Sequence, residues 1–231
     1  MINTIGFDAD DTLWHNEHLY HNAKKIFSEI LSKFRDADTI LTNLNKTEVE
    51  NIAYYGYGIK GFALSMIEVA LDISRGQVTS EQINEIIAIS RNMLKAPVEL
   101  VPGAEATLKE LADTYDLMLI TKGDSFEQER KIELSGIAHF FRYREVVGEK
   151  SEKTYGKILS QYNLEPARFV MVGNSLRSDV LPVLKIGGQA VHIPNEFTWF
   201  NENASREEIG DAKFAQLENL SQLPDYIAGL E

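Results

Sequence analysis

Residues Ile2–Leu13 read INTIGFDADDTL and form the most informative stretch of the chain. The segment is apolar up to Phe7, which predicts a buried β-strand, and it then places Asp8, Asp10 and Asp11 within four positions. Open α/β sheets bind ligands beyond the carboxyl ends of their strands. Carboxylates this close raise each other's pKa unless a cation compensates, and oxygen-seeking Mg²⁺ suits that role. The alternative is an acidic turn whose aspartates only cap a helix.

The composition sets bounds on size, charge and chemistry. The chain has 231 residues, 44% of them hydrophobic and 25% charged, which is ordinary for a globular protein of one or two domains. The formal net charge of -12 disfavours nonspecific binding to nucleic acid or anionic membrane. The absence of cysteine excludes disulfides, thiolate metal sites and cysteine nucleophiles. No signal-peptide pattern or membrane-spanning apolar stretch is evident, so we expect a cytoplasmic protein without membrane or nucleic-acid partners.

Residues 14–95 carry helical rather than strand signals. Apolar residues recur there at spacings of three and four, which predicts amphipathic helices. Thr79 and Gln82 form a capping-box pattern at the start of one helix. We therefore expect an inserted bundle of about four helices. The recurring residues are Ala23, Ile26, Phe27, Ile30, Leu31 and Phe34, then Phe62, Ala63, Met66, Ile67, Ala70 and Leu71, then Ile83, Ile86, Ile87 and Ile89.

From residue 96 onward, short apolar segments alternate with amphipathic ones. This alternation predicts a parallel sheet with right-handed helical crossovers. The expected architecture is a doubly wound α/β core from residues 1–13 and 96–231, interrupted by a helical domain at 14–95. Besides the first strand, the predicted strands are 116–121, 143–147, 168–172 and 189–193.

Chemically useful side chains follow four of the predicted strands. Because the carboxyl ends of parallel strands lie on one edge of the sheet, these side chains should converge. A hydroxyl, an ammonium and several carboxylates gathered there suit phosphoryl transfer, which mainly needs positioning and charge stabilisation. The groups are Asp8 and Asp10, then Thr121, Lys122 and Gly123, then Lys150 and Lys153, and finally Asn174 and Asp179.

These motifs resemble those of the haloacid dehalogenase superfamily, whose members can carry a helical (C1-type) cap after the first motif. The first motif matches DADDTL and the second matches ITKG, ending at Gly123. The third is Lys150 within EKSEKTY, with Lys153 as the alternative, and the fourth is VGNSLRSD, ending at Asp179. The resemblance implies a Rossmann-like core with an inserted α-helical bundle cap domain.

The resemblance also implies a mechanism for the acidic residues. Asp8 would be the nucleophile that forms an aspartyl-phosphate, and Asp10 would protonate the leaving oxygen and then activate water. Mg²⁺ would be held by the Asp8 carboxylate, the Asp10 carbonyl and Asp179. Position 174 is Asn where many members have Asp. The amide oxygen of Asn174 can still bind Mg²⁺ or a water, so its place in the coordination shell stays open.

The remaining residues of the motifs would handle the phosphate. Thr121 and the amides of Lys122 and Gly123 would bind its oxygens, and Lys150 would neutralise charge on the nucleophile and on the transferring group. The implied substrate is a small phosphorylated metabolite, and the implied enzyme is a monomer or homodimer. The run Glu127–Glu129 is expected to be a solvated helix face.

Other functions of the same scaffold stay open. A 2-haloacid dehalogenase needs neither Mg²⁺ nor an acid at position 10, whereas an alkoxide leaving phosphate usually needs a proton. The presence of Asp10 therefore favours a phosphatase. A sugar-phosphate mutase would isomerise its substrate instead of releasing phosphate. A catalytically silent binding protein would not need the complete set of site residues.

Overall fold

A computed structural model of the protein describes residues 1–230. The chain divides into two compact units. One comprises Met1–Glu17 and the chain from Val98 onward, and the other is His18–Pro97. Each unit buries its own apolar side chains. None of the helices within residues 1–230 is long and apolar enough to span a membrane.

The smaller unit is a bundle of four helices, as the apolar spacing predicts. The Thr79 hydroxyl accepts the amide of Gln82, whose side chain accepts the amide of Thr79, so the predicted capping box is confirmed. The centre of the bundle contains Phe27, Leu44 and Met66. The helices are α1 (Glu17–Leu31), α2 (Ala37–Tyr55), α3 (Ile59–Ser74) and α4 (Ser80–Lys95).

The larger unit is built on a six-stranded parallel sheet. Its strands are β1 (Thr4–Phe7), β2 (Asp116–Lys122), β3 (Tyr143–Val147), β4 (Phe169–Gly173), β5 (Gln189–His192) and β6 (Ala215–Gln216). The strand order is β3-β2-β1-β4-β5-β6, so the winding reverses between β1 and β4. This order confirms the doubly wound α/β fold and puts the ligand-binding edge beyond the ends of the central strands.

Apolar side chains point to both faces of this sheet, which explains why both faces are covered. Ile5, Leu117 and Leu119 belong to one apolar cluster, whereas Met118 and Ile120 belong to another. Successive side chains of a strand point to opposite faces, so β2 contributes to both clusters. The helices of this unit are α5 (Ala104–Ala112), α6 (Ser125–Leu134), α7 (Glu152–Gln161), α8 (Leu181–Lys185), α9 (Arg206–Ile209) and α10 (Leu223–Ala228), with a single π-helical turn at Leu176–Val180.

The five predicted strands are present with ends shifted by no more than two residues, and one further strand was not predicted. The missed strand is β6, which has only two residues. So short a segment shows no alternation of apolar and polar residues, and it forms because β5 offers a backbone edge for pairing.

Candidate active site

Asp8 occupies the first position after β1, at the centre of the sheet edge. Its amide donates to the carbonyl of Val172 at 2.9 Å, which fixes the residue between β1 and β4. The side chain is buried, and its Oδ2 accepts the hydroxyl of Thr12 at 2.9 Å. The acidic turn therefore folds back on itself and presents the carboxylate at the edge where ligands bind in this fold.

Lys150 is the lysine that reaches Asp8. Its Nζ lies 2.5 Å from Asp8 Oδ1 and 2.6 Å from Asp179 Oδ1, and its side chain is only 2% exposed. Lys153, the alternative from the sequence, lies exposed on α7. Ser151 caps that helix by accepting the amide of Thr154, so the chain turns into α7 immediately after Lys150.

Burial and neighbouring charges have opposite effects on the pKa values of Asp8, Lys150 and Asp179. Burial by itself lowers the pKa of Lys150, but the carboxylates of Asp179 and Asp8 outweigh it and hold that pKa well above its ordinary value. Burial also raises the pKa of Asp8, and the Lys150 ammonium opposes this rise. The Lys150 ammonium therefore stays charged, and it only partly offsets the burial that raises the pKa of both Asp8 and Asp179.

Asn174 follows β4 directly, and Asp179 lies in the π-helical turn that comes next. The Asp179 carboxylate is 1% exposed, and its Oδ2 accepts the Ser175 amide at 3.0 Å. A Cβ atom at Gly173 would lie 2.2 Å from that Oδ2, so only glycine fits there. Single π turns often mark functional sites because they redirect side chains within a helix.

Thr121, the next-to-last residue of β2, has a buried hydroxyl with no hydrogen-bond partner within residues 1–230. Buried hydroxyls in native proteins are usually paired, so this one is suited to a ligand oxygen. The Gly123 amide donates to the Val147 carbonyl at 3.1 Å, with a backbone φ of +153°. Phosphate binding by the Gly123 amide thus stays a prediction, because in this conformation that amide already has a partner.

The Lys122 side chain forms an ion pair with Glu202, a residue that was not predicted from the sequence. Its Nζ contacts the Glu202 carboxylate and lies 3.0 Å from the Ser178 hydroxyl. Glu202 Oε2 also accepts the hydroxyls of Ser175 and Ser178, each at 2.5 Å. Burial raises the pKa of Glu202, but Lys122 and the two hydroxyls outweigh it and keep the pKa below its ordinary value.

Asp10 and Asp11 have different surroundings although they are adjacent. The Asp10 carboxylate accepts hydrogen bonds from Trp14, Gln128 and Lys131. Asp11 has a left-handed φ of +63°, and its carboxylate accepts the amide of Glu17 at the start of α1. The helix-capping alternative therefore describes Asp11, whose pKa burial raises to about 6.

Comparisons with known proteins identify the family of the chain. The haloacid dehalogenase-like hydrolase family matches residues 2–187, which is most of the chain. The chain belongs to that family. A solved haloacid dehalogenase-like hydrolase from Xanthomonas campestris superimposes with a TM-score of 0.86 at 39% identity, covering 99% of this chain and 91% of that one.

Two relatives of this hydrolase carry functional names. Glyceraldehyde 3-phosphate phosphatase from Pyrococcus furiosus is 27% identical over 199 residues, covering 82% of this chain and 80% of the relative. Human N-acylneuraminate-9-phosphatase is 22% identical over 213 residues, covering 87% of this chain and 84% of the relative.

The oxygen atoms near Asp8 fit a divalent cation of the Mg²⁺ type. The Thr12 hydroxyl lies 2.9 Å from Asp8 Oδ2 and 3.4 Å from Asn174 Oδ1, so one proton is shared between two acceptor oxygens. Within residues 1–230, no three His, Cys, Asp or Glu side chains form a metal cluster. A Mg²⁺ site would therefore use few side chains and several waters, as Mg²⁺ sites usually do.

Asp179 fits another role better than direct metal binding. One of its oxygens contacts Lys150 and the other accepts the amide of Ser175. Metal binding by Asp179 stays a prediction, and these contacts favour a role in holding Lys150 and the π turn.

Four residues of this hydrolase's site were missed or misread from the sequence. Gln128 is 4% exposed and Glu127 is 8% exposed, so the expectation of a solvated face at Glu127–Glu129 was wrong for both. For Gln128 the physical reason is its contact with Asp10 in the acidic turn, a long-range contact that a local charge pattern does not encode. Lys131 and Glu202 were not predicted, because neither belongs to a strand end.

Proposed function

We propose that the protein is a Mg²⁺-dependent phosphatase that hydrolyses small phosphomonoesters through an aspartyl-phosphate intermediate. The observation that carries the proposal is the pair of carboxylates on one turn: Asp8 is held by a lysine, and Asp10, two residues later, is held by separate donors. This division gives one acid the role of nucleophile and leaves the other for proton transfer.

Asp8 is suited to attack phosphorus. Lys150 draws the carboxylate toward the sheet edge and stabilises its ionised form, while Thr12 fixes the second oxygen. In the first step the Asp8 oxygen forms a bond to phosphorus as the bond to the leaving oxygen breaks. In the second step water attacks the phosphorus and releases inorganic phosphate and free Asp8.

Asp10 would move the proton in both steps. It would give a proton to the leaving alkoxide and would then take one from the attacking water. Carbon–halogen cleavage needs no such acid, because halide leaves without a proton. The carboxylate at position 10 is therefore the feature that favours a phosphatase over a dehalogenase.

Two further groups would stabilise the phosphate. The unpaired, buried hydroxyl of Thr121 would donate to one phosphate oxygen, and the Lys150 ammonium would offset the charge that develops during transfer. Asp8, Asn174 and the Asp10 carbonyl would hold Mg²⁺, which when bound would neutralise the phosphate charge further. The two phosphatase relatives support the choice of phosphate esters as the substrate class.

The test is a phosphate-release screen of nucleotides, sugar phosphates and phosphorylated acids, with Mg²⁺ and with EDTA. We expect release from several esters with Mg²⁺ and none with EDTA. Release of halide from 2-haloacids that persists in EDTA would instead identify a dehalogenase. Formation of an isomeric sugar phosphate without free phosphate would identify a mutase.

A further inference from the structure

The Asp10 carboxylate has four contacts with hydrogen-bond donors. Oδ1 accepts the Trp14 indole Nε1 at 2.6 Å, and Oδ2 accepts the Gln128 Nε2 at 2.8 Å. Lys131 Nζ lies 2.6 Å from both oxygens. An ionised carboxylate offers about four lone-pair sites, so the donors occupy all of them.

Two of these donors come from one face of α6. Gln128 and Lys131 are three residues apart, a spacing that puts both side chains on the same side of a helix. Gln128 Nε2 also donates to the Lys122 carbonyl at 3.0 Å, and a Cβ at Gly123 would lie 2.7 Å from this nitrogen. Glycine at position 123 thus makes room for Gln128 to join the turn after β2 to Asp10.

Lys131 differs from the other donors in exposure and charge. The Trp14 and Gln128 side chains are almost completely buried, whereas the Lys131 side chain is 23% exposed. It is also the only one of the three that carries a charge and contacts both oxygens. A neutral Asp10 carrying a proton has one fewer acceptor site, and Lys131 is the donor most able to yield that site.

We propose that Lys131 is a positioning residue for Asp10, a role that rests on the proposed phosphatase function. As the Asp8–phosphorus bond forms, the electron pair of the breaking bond goes to the leaving oxygen, which takes the proton from Asp10. The resulting Asp10 carboxylate is stabilised by the Lys131 ammonium. The proton returns to Asp10 when this carboxylate deprotonates the attacking water.

The test compares leaving groups that need a proton with leaving groups that do not. p-Nitrophenolate leaves without protonation, whereas the alkoxide of glycerol phosphate needs a proton. The quantity to measure is kcat/KM with Mg²⁺, because it reports on the first phosphoryl transfer and not on hydrolysis of the intermediate. For Lys131→Met we expect about a 10- to 100-fold loss with glycerol phosphate and less than about 3-fold with p-nitrophenyl phosphate.

Controls separate positioning from general structural effects. Lys131→Arg should restore most of the activity with glycerol phosphate, and Arg130→Met, an exposed change on the same helix, should leave both substrates unaffected. In an Asp10→Asn background, Lys131→Met should cause no further loss, because the two residues act as a unit. Thermal unfolding of each variant checks that the fold is intact.

Three results would overturn the role of Lys131 in an active enzyme: equal losses on both substrates, no loss on either, or a full additional loss in the Asp10→Asn background. A folded wild-type protein that releases no phosphate from any ester with Mg²⁺ would instead overturn the proposed function, and the role of Lys131 with it.

Discussion

The Lys150 ammonium lies 2.5 Å from Asp8 Oδ1, although 142 positions separate the two residues in the chain. A second carboxylate, from Asp179, lies 2.6 Å from the same nitrogen, and all three side chains are almost completely buried. Two acids thus share one cation away from water. The same lysine is therefore expected to affect both the stability of the α/β unit and the phosphoryl transfer proposed for Asp8.

Replacing the nucleophile should abolish turnover without unfolding the protein. Asp8→Asn keeps the size of the side chain and an oxygen for Thr12, but an amide cannot form the proposed intermediate. We expect at least about a 10³-fold loss of kcat with Mg²⁺. Phosphate release measures the activity, and circular dichroism with thermal unfolding measures the fold. Activity close to wild type in the folded variant would contradict the assignment of Asp8.

Removing the shared cation should destabilise the α/β unit. Lys150→Met leaves Asp8 and Asp179 buried without their ammonium partner, which should cost about 3–5 kcal/mol of unfolding free energy. Urea denaturation in EDTA measures this cost. Lys153→Met, an exposed change, should stay within about 0.5 kcal/mol of wild type. If adding Asp179→Asn to Lys150→Met restores no stability, carboxylate repulsion is not the cause of the loss.

The Glu202 carboxylate should stabilise the π turn that presents Asn174 and Asp179. Glu202→Gln keeps the shape of the side chain but removes its negative charge. That charge strengthens the hydrogen bonds that the carboxylate accepts from Lys122, Ser175 and Ser178. Because these donors are largely buried, we expect a loss of about 1–3 kcal/mol in urea denaturation. Glu207→Gln, on the exposed side of α9, is the control. Identical denaturation midpoints for Glu202→Gln and wild type would rule out this role.

A carboxylate at position 174 should tighten Mg²⁺ binding. Asn174→Asp adds a negative charge beside Asp8, where the two side-chain oxygens share the Thr12 hydroxyl. We expect about a tenfold lower Mg²⁺ concentration for half-maximal thermal stabilisation. Asn43→Asp, an exposed change in α2, controls for net charge. An unchanged Mg²⁺ titration would place residue 174 outside the direct ligands.

Glu48 should make the stability of the helical unit depend on pH. Its carboxylate lies 3.3 Å from Lys24 Nζ, and burial raises its pKa above the ordinary value of 4.5 although Lys24 opposes the rise. The folded state therefore holds this proton more tightly than the unfolded state does. The stability contribution is complete below the unfolded pKa and is lost as pH rises through the folded pKa.

The variant that tests this pH dependence is Glu48→Gln, because its side chain cannot ionise. Its unfolding temperature relative to wild type should rise as the pH increases above the ordinary Glu pKa of 4.5, because only the wild type loses the contribution of this carboxyl. Glu50→Gln, an exposed change on the same helix, is the control. A difference between Glu48→Gln and wild type that stays constant across this rise in pH would show that Glu48 does not contribute to the pH dependence.

Short segments of the sequence were enough to predict the fold class, and they pointed to several residues of the candidate site. Apolar runs and their periods report burial locally, so the strands, the four inserted helices and the Thr79 capping box could be predicted from short segments. The strand-end motifs pointed to Asp8, Thr121 and Asp179 because parallel strands bring their carboxyl ends to one edge.

Which polar groups contact one another could be read only from the folded molecule. It brings Lys150 rather than Lys153 to Asp8, assigns helix capping to Asp11, and turns Gln128 and Lys131 toward Asp10. These contacts join segments far apart in the chain, and their energies depend on burial and on the distance between charges. A pattern of neighbouring residues contains neither quantity, since both arise only when the sheet and its helices are assembled.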